Sequence, residues 1–121
     1  MMAGSCGSSC TSGARTGTAA GAQSARNVAL GRPYVTDPAP SDPECMDPGD
    51  TTQLTDGFKT NGNFWTEMTT VGWLRESPVS ITIDLGRVTA IQGAAFRTAA
   101  GKADVEWPAA IQVLASDDGK D

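Results

Sequence analysis

The sequence predicts an all-β fold, because its apolar residues follow a strand periodicity and no segment sustains a helical one. The clearest signal spans residues 79–85, where Val79, Ile81, Ile83 and Leu85 alternate with polar residues. A period of two places these four side chains on one face of a strand. Other short apolar runs are separated by turn signals, and that pattern favours a β-sandwich or a β-barrel.

The first half of the ordered region is predicted from its prolines and turns. Order begins at residues 27–31, and residues 33–36 form a short edge strand because Pro33 has no N–H to donate to a ladder. Residues 37–50 alternate prolines with acidic residues. Such proline density excludes both helix and ladder, so this segment is expected to be a solvated surface loop.

The second half is predicted to contain further strands joined by tight turns. Residues 52–55 are expected to be extended, and turn signals follow at 56–57 and 61–63. After the strand at 79–85, apolar residues predict two more strands, at 89–97 and 111–115.

Composition restricts the classes of function. The net charge of −5 argues against binding nucleic-acid phosphate or anionic lipid. No stretch of about 18 apolar residues is present, so we expect no membrane span. The chain has no histidine, which excludes Ser-His-Asp and Cys-His catalysis and histidine metal ligation. Together these features favour a binding function, with no enzymatic activity of its own.

Residues 1–25 are rich in Gly, Ser, Ala and Thr, and we expect them to be a disordered linker or tail ahead of a domain at 26–121. Cys6 and Cys10 lie in this segment, where a metal site would lack rigidity and further ligands. The partner of Cys45 stays open.

Five short motifs follow one another between residue 27 and the end of the chain. They are Asn-x-Ala-x-Gly at 27–31, an acidic-Gly turn at 56–57 before Trp65, a strand ending in Asp-Leu-Gly at 84–86, Trp-Pro at 107–108, and Ser-x-Asp-Gly at 116–119. In this order they resemble the discoidin, or coagulation factor type C, family of galactose-binding-like domains.

The resemblance implies an eight-stranded jelly-roll β-sandwich. The strands that close this fold in the family would follow Lys120 and Asp121, so the expected sandwich is incomplete and C-terminally truncated. Unpaired strand edges and a half-covered apolar face are costly. We therefore predict that residues 26–121 alone are poorly stable, and a cooperative thermal transition of the monomeric piece would contradict this.

The resemblance also implies a function, a non-catalytic carbohydrate-binding module with a glycan or polysaccharide partner. It would be a fragment of a secreted, polysaccharide-active protein with further domains, at an extracellular or cell-surface location. Two alternatives stay open: a discoidin domain for protein or cell-surface adhesion, and an accessory β-sandwich that frames an enzyme active site. The loop 71–78 separates sugar binding from adhesion, because an adhesive site would favour several exposed apolar residues there.

A sugar site combines an aromatic face for stacking with polar side chains that bond the hydroxyls. The candidate ligand-binding residues at loops and strand ends are Trp73, Arg75, Arg97, Asn63, Phe64 and Lys102. Trp73 is the preferred stacking residue, because the family pattern does not account for it, whereas Trp65 and Trp107 are expected to pack inside. Arg97 is either a ligand contact or a solvated surface charge.

A structural calcium ion is a further feature that the resemblance implies. Asp56 matches the family's calcium-binding aspartate, and Gln53, Thr60 and Gly62 in the same loop would add oxygen ligands. The alternative is that Asp56 only caps its own turn by accepting backbone N–H groups.

Overall fold

The computed structural model describes residues 2–4, 25–102 and 104–120, which form a small, mostly non-helical fold with few strands. The strands are β1 (Met2–Gly4), β2 (Tyr34–Asp37), β3 (Val71–Gly72), β4 (Ser80–Ile83) and β5 (Arg97–Thr98), and two short 3-10 helices span Pro48–Thr51 and Phe64–Thr66. No helix in these ranges has the length and apolar character needed to cross a bilayer.

The strands predicted at 33–36 and 79–85 are confirmed as β2 and β4, apart from their ends. The two strands pair to form an antiparallel two-stranded sheet. The register pairs Tyr34 with Ile83 and Thr36 with Ile81. Paired residues lie on the same face, so the predicted shared face of Ile81 and Ile83 is confirmed. That face is only partly covered, since these two side chains remain 39% and 38% exposed.

The second sheet has the order β3-β1-β5, with both pairs antiparallel. Its central strand, β1, lies within the segment predicted to be disordered at 1–25. Apart from this strand and Ala25, that segment lies outside the described residues, and so do Cys6 and Cys10. The predicted disorder of residues 1–25 therefore stays a prediction outside β1 and Ala25.

The strands predicted at 89–97 and 111–115 do not form, except that Arg97 begins β5. A strand is stabilised by the ladder it joins, and neither segment pairs with another one in the described part of the chain. Their apolar side chains are consequently exposed, with Ile91 at 44%, Ile111 at 56% and Val113 at 61%.

The acidic loop at 37–50 is not the solvated loop predicted from its prolines, because it buries Asp42, Cys45 and Asp50. The predicted exclusion of helix and ladder is also wrong, since Asp37 pairs with Ser80 and a 3-10 helix spans Pro48–Thr51. The loop's carboxylates bond its own backbone in place of water. Asp42 Oδ1 accepts the N–H of Glu44 at 3.1 Å, and Asp50 Oδ2 accepts the N–H of Asp47 at 3.3 Å. Such local bonds stabilise turns without a ladder.

Residues 52–55 are not extended as predicted but continue these turns. The N–H groups of Thr52 and Gln53 both donate to the carbonyl of Gly49, at 2.8 and 3.0 Å. Tyr34 holds this segment against the β2–β4 sheet, because its hydroxyl donates to the carbonyl of Asp50 and accepts the N–H of Leu54 at 3.3 Å.

The core consists of two small clusters. In the first, Val71 and Trp73 are buried and pack with the partly buried Leu54 and Val79. In the second, Phe64 and Ala99 are buried, and the partly buried Val105 packs against them.

Strand β3 and the acidic loop approach each other most closely at Gly72. Its carbonyl accepts the N–H groups of Ser41 and Asp42, at 3.0 and 3.2 Å. A Cβ at this position would lie 2.6 Å from Cys45 Sγ and 2.7 Å from Asp42 Cβ. Only glycine allows the loop to lie this close to the strand.

We expect Gly72→Ala to lower the free energy of unfolding by about 1–3 kcal/mol, because the new methyl group overlaps a packed loop that has no room to move. The control is Gly93→Ala, since a Cβ at Gly93 meets nothing within 4 Å. Urea denaturation followed by circular dichroism measures both changes. Equal stability of the two variants would show that the contact at Gly72 is not tight.

Candidate functional site

Two segments of the chain meet through a cluster of three side chains, Asn61, Phe64 and Arg97, called here the Arg97 cluster. The guanidinium carbon of Arg97 lies 5.4 Å from the centroid of the Phe64 ring, within the range of a cation–π contact. Arg97 Nη1 donates to Asn61 Oδ1 at 3.2 Å. The cluster therefore joins the loop before Phe64 to strand β5.

This cluster changes the roles predicted for two candidate residues. Phe64 is 5% exposed and has a guanidinium over its ring, so it does not present an aromatic face to a ligand. Arg97, predicted to be a ligand contact or a solvated charge, is half-buried and engaged within the chain. Phe64 and Arg97 therefore join segments within the chain, and neither is free to contact a ligand as predicted.

Trp73, the predicted stacking residue, is 2% exposed and belongs to the core. Its indole Nε1 donates to the carbonyl of Pro38 at 2.9 Å. A ring with so little exposed surface has no face available for a sugar, so this interpretation is wrong. The apolar side chain that the loop 71–78 exposes next to it is Leu74, at 54%.

Trp107, predicted to pack inside, is instead 71% exposed. It ends a segment that we call the Trp107 loop, described over residues 99–102 and 104–107. Three backbone bonds stabilise this loop, from Gly101 N to Val105 O at 2.8 Å, from Lys102 N to Ala99 O at 3.2 Å, and from Val105 N to Lys102 O at 2.9 Å. Ala99 and Val105 also pack on Phe64, which places the loop beside the Arg97 cluster.

Of the remaining candidates, Lys102 belongs to the Trp107 loop and Asn63 directly precedes Phe64, and both are exposed. The side chain of Asn63 forms no capping hydrogen bond with the helix that it precedes. Arg75 is exposed on a different loop, in a left-handed conformation with φ of 58°. A hydrogen bond joins that loop to the acidic loop, because Leu74 N donates to Ser41 Oγ at 3.1 Å. The side chain of Trp65 is outside the described part.

The side chains of Asp56, Thr60 and Gln53, three of the four residues predicted to bind calcium, form hydrogen bonds within the chain, and Gln53 Oε1 is buried without a partner, so the calcium site stays a prediction. Asp56 Oδ1 accepts the N–H of Phe58 at 2.7 Å, which is the turn-capping alternative. Gly62 is exposed, and the Thr60 hydroxyl is buried in a bond to the carbonyl of Thr69 at 2.9 Å.

The fourth predicted ligand, Gln53, is buried with its amide directed at the acidic loop. Its Nε2 donates to both carboxylate oxygens of Asp47, at 2.9 and 3.0 Å, and to the carbonyl of Met68. Across the described residues, no three His, Cys, Asp or Glu side chains come together as a metal-binding group.

Burial and negative charge raise the pKa values of three groups near the acidic loop. Burial, followed by the charge of Asp42, raises the pKa of the Cys45 thiol to about 11. Burial also raises the pKa values of the Asp50 carboxyl and the Tyr34 hydroxyl. A thiol with this pKa stays protonated at neutral pH, so Cys45 acts as a small packing residue.

Against known proteins, the chain matches no family model, no curated protein and no solved structure.

We expect Cys45 to react at pH 8 about 100-fold more slowly with a disulfide reagent in the folded protein than in denaturant. The rise in its pKa from 9.0 to about 11 lowers the thiolate fraction by that factor. The measurement uses the C6S/C10S variant, so that Cys45 is the thiol observed. Equal rates in buffer and denaturant would contradict the burial of this side chain.

Proposed function

We propose that the chain is a non-catalytic carbohydrate-binding module, and that it binds a glycan on the exposed indole of Trp107. The observation that carries this proposal is a largely exposed tryptophan on a loop stabilised by its own backbone bonds. An indole offers a wide, rigid apolar face, and the C–H face of a sugar ring stacks on such a surface.

Exposed polar side chains in the Trp107 loop and in the segment against which it packs support this function. Lys102 belongs to the same loop, and Asn63 precedes Phe64, against which that loop packs. Both are exposed, and an ammonium and a primary amide bond the hydroxyl groups that surround a sugar's apolar face. The site therefore combines the two kinds of contact that carbohydrate recognition requires.

The architecture we propose is a jelly-roll β-sandwich of the galactose-binding-like type. Its support is the pairing pattern, because every described strand pair is antiparallel and the strands form two separate sheets. Antiparallel sheets are the building elements of such sandwiches.

In the full protein, the module would keep a polysaccharide-active partner domain near its substrate outside the cell. Single sites of this open kind bind weakly, with Kd values between roughly millimolar and micromolar, or about −4 to −8 kcal/mol. Attachment to further domains raises the effective concentration at the substrate surface.

We expect Trp107→Ala to weaken glycan binding at least about tenfold, because the variant loses the stacking surface of an aromatic side chain. The matched control is Phe58→Ala, which removes another aromatic side chain of nearly equal exposure, 69% against 71%. A glycan array identifies ligands of the unmodified chain, and affinity electrophoresis in the best polysaccharide compares the variants.

Equal weakening by both substitutions would contradict a site centred on Trp107. A chain that retains no glycan in the array or in the gel would contradict the proposed function itself.

Adhesion to a protein or cell surface is the second candidate, favoured by the large apolar side chains that stay exposed. Val88 is 71% exposed and Leu114 is 86% exposed. Apolar surface of this kind marks interaction sites. Binding to cells that simple sugars do not inhibit, and that Trp107→Ala leaves unchanged, would favour this candidate over the first.

A further inference from the structure

One edge of the Trp107 indole lies in the space that a side chain at Gly101 would enter. A Cβ built at Gly101 would lie 3.0 Å from Nε1, 3.4 Å from Cε2 and 3.6 Å from Cζ2 of the indole. These three atoms are consecutive along the nitrogen edge of the ring. A side chain at Gly101 would therefore meet that edge, while 71% of the Trp107 side chain is exposed.

Two features of Gly101 permit this contact. Its φ is +82°, in the left-handed region that glycine adopts without steric cost. Its N–H donates to the carbonyl of Val105 at 2.8 Å, which fixes the position of the backbone near the ring edge. Asp104, in the same loop, is also left-handed at φ of 61°, a conformation that Asp tolerates. The loop is thus shaped to bring backbone to the ring edge.

We infer that Gly101 is the positioning residue of the glycan site: it docks the nitrogen edge of Trp107, so that the ligand is bound by stacking on the ring and not by the indole N–H. This inference rests on the proposed function and specifies its ligand contact. The group recognised is the flat C–H face of a sugar ring. Hydrogen bonds to the hydroxyls then come from neighbouring side chains such as Lys102.

The same geometry predicts what a methyl group at Gly101 does. A contact of 3.0 Å is tighter than ordinary van der Waals separation, so the indole must shift by a few tenths of an ångström. Because Trp107 is so exposed, the ring has room to move and the fold need not open. Gly101→Ala therefore displaces the stacking surface in a folded protein.

The matched control is Gly119→Ala, because Gly119 has a similar φ of +73° and open space where its Cβ would lie. Both variants carry the same kind of backbone strain, but only Gly101→Ala meets the indole. The first readout is the indole N–H signal in a ¹⁵N-¹H spectrum, assigned to Trp107 by its loss in W107F. We expect this signal to shift in Gly101→Ala and to stay in place in Gly119→Ala.

The second readout is glycan affinity in a double-mutant cycle. W107F keeps an aromatic face but removes the nitrogen edge that a methyl group at Gly101 would strike. We expect Gly101→Ala to weaken binding about tenfold in the presence of Trp107 and less than about twofold in the W107F background. W107F alone should keep most of the affinity, since the indole N–H is not a ligand contact.

An unchanged Trp107 signal in Gly101→Ala overturns the inference, and so does an equal loss of affinity in both backgrounds. A W107F variant that binds as poorly as Trp107→Ala overturns the stacking mode. If the unmodified chain binds no glycan while the Trp107 signal still shifts, the proposed function fails and the docking of the ring by Gly101 stands.

Discussion

The close contact between the acidic loop and strand β3 is the constraint on which most of this structure depends. The carbonyl of Gly72 accepts two loop N–H groups, and the absence of a side chain there leaves room for Cys45 and Asp42. Trp73, the next residue, bonds Pro38 at the start of the same loop. The two-residue strand β3 thus stabilises the acidic loop through these contacts. Trp73, the largest fully buried side chain, directly follows this strand.

The candidate site depends on a second, smaller set of contacts. Phe64 and Ala99 form a buried pair, and Arg97 covers the Phe64 ring while bonding Asn61. These contacts hold β5 and the loop that follows it in place, so Trp107 extends from a supported backbone. Binding surfaces gain affinity when they are organised before the ligand arrives, because less conformational entropy is lost on binding. The buried Phe64 therefore supports the loop, and the exposed Trp107 extends from it.

The groups with raised pKa values, Tyr34, Cys45 and Asp50, lie in or beside the acidic loop. Cys45 and Asp50 are shifted because burial and neighbouring carboxylates disfavour their charged forms. Here the shifts follow from the packing of the loop, with Asp50 bonded to the backbone of Asp47. Trp107 is an exposed apolar ring, and Lys102, Asp104 and Glu106 are exposed in the same loop.

The sequence by itself determined the strands at β2 and β4, the face shared by Ile81 and Ile83, and the turn at Asp56, because alternation and turn chemistry are local properties. It did not determine that residues 89–96 and 111–115 stay unpaired, since a ladder depends on a partner strand elsewhere in the chain. The roles of the tryptophans were decided in the same way. The sequence predicted an exposed Trp73 and a packed Trp107, but the tertiary structure buries the first against Pro38 and leaves the second exposed near Gly101. Burial is set by what packs from distant parts of the chain, and no local pattern encodes it.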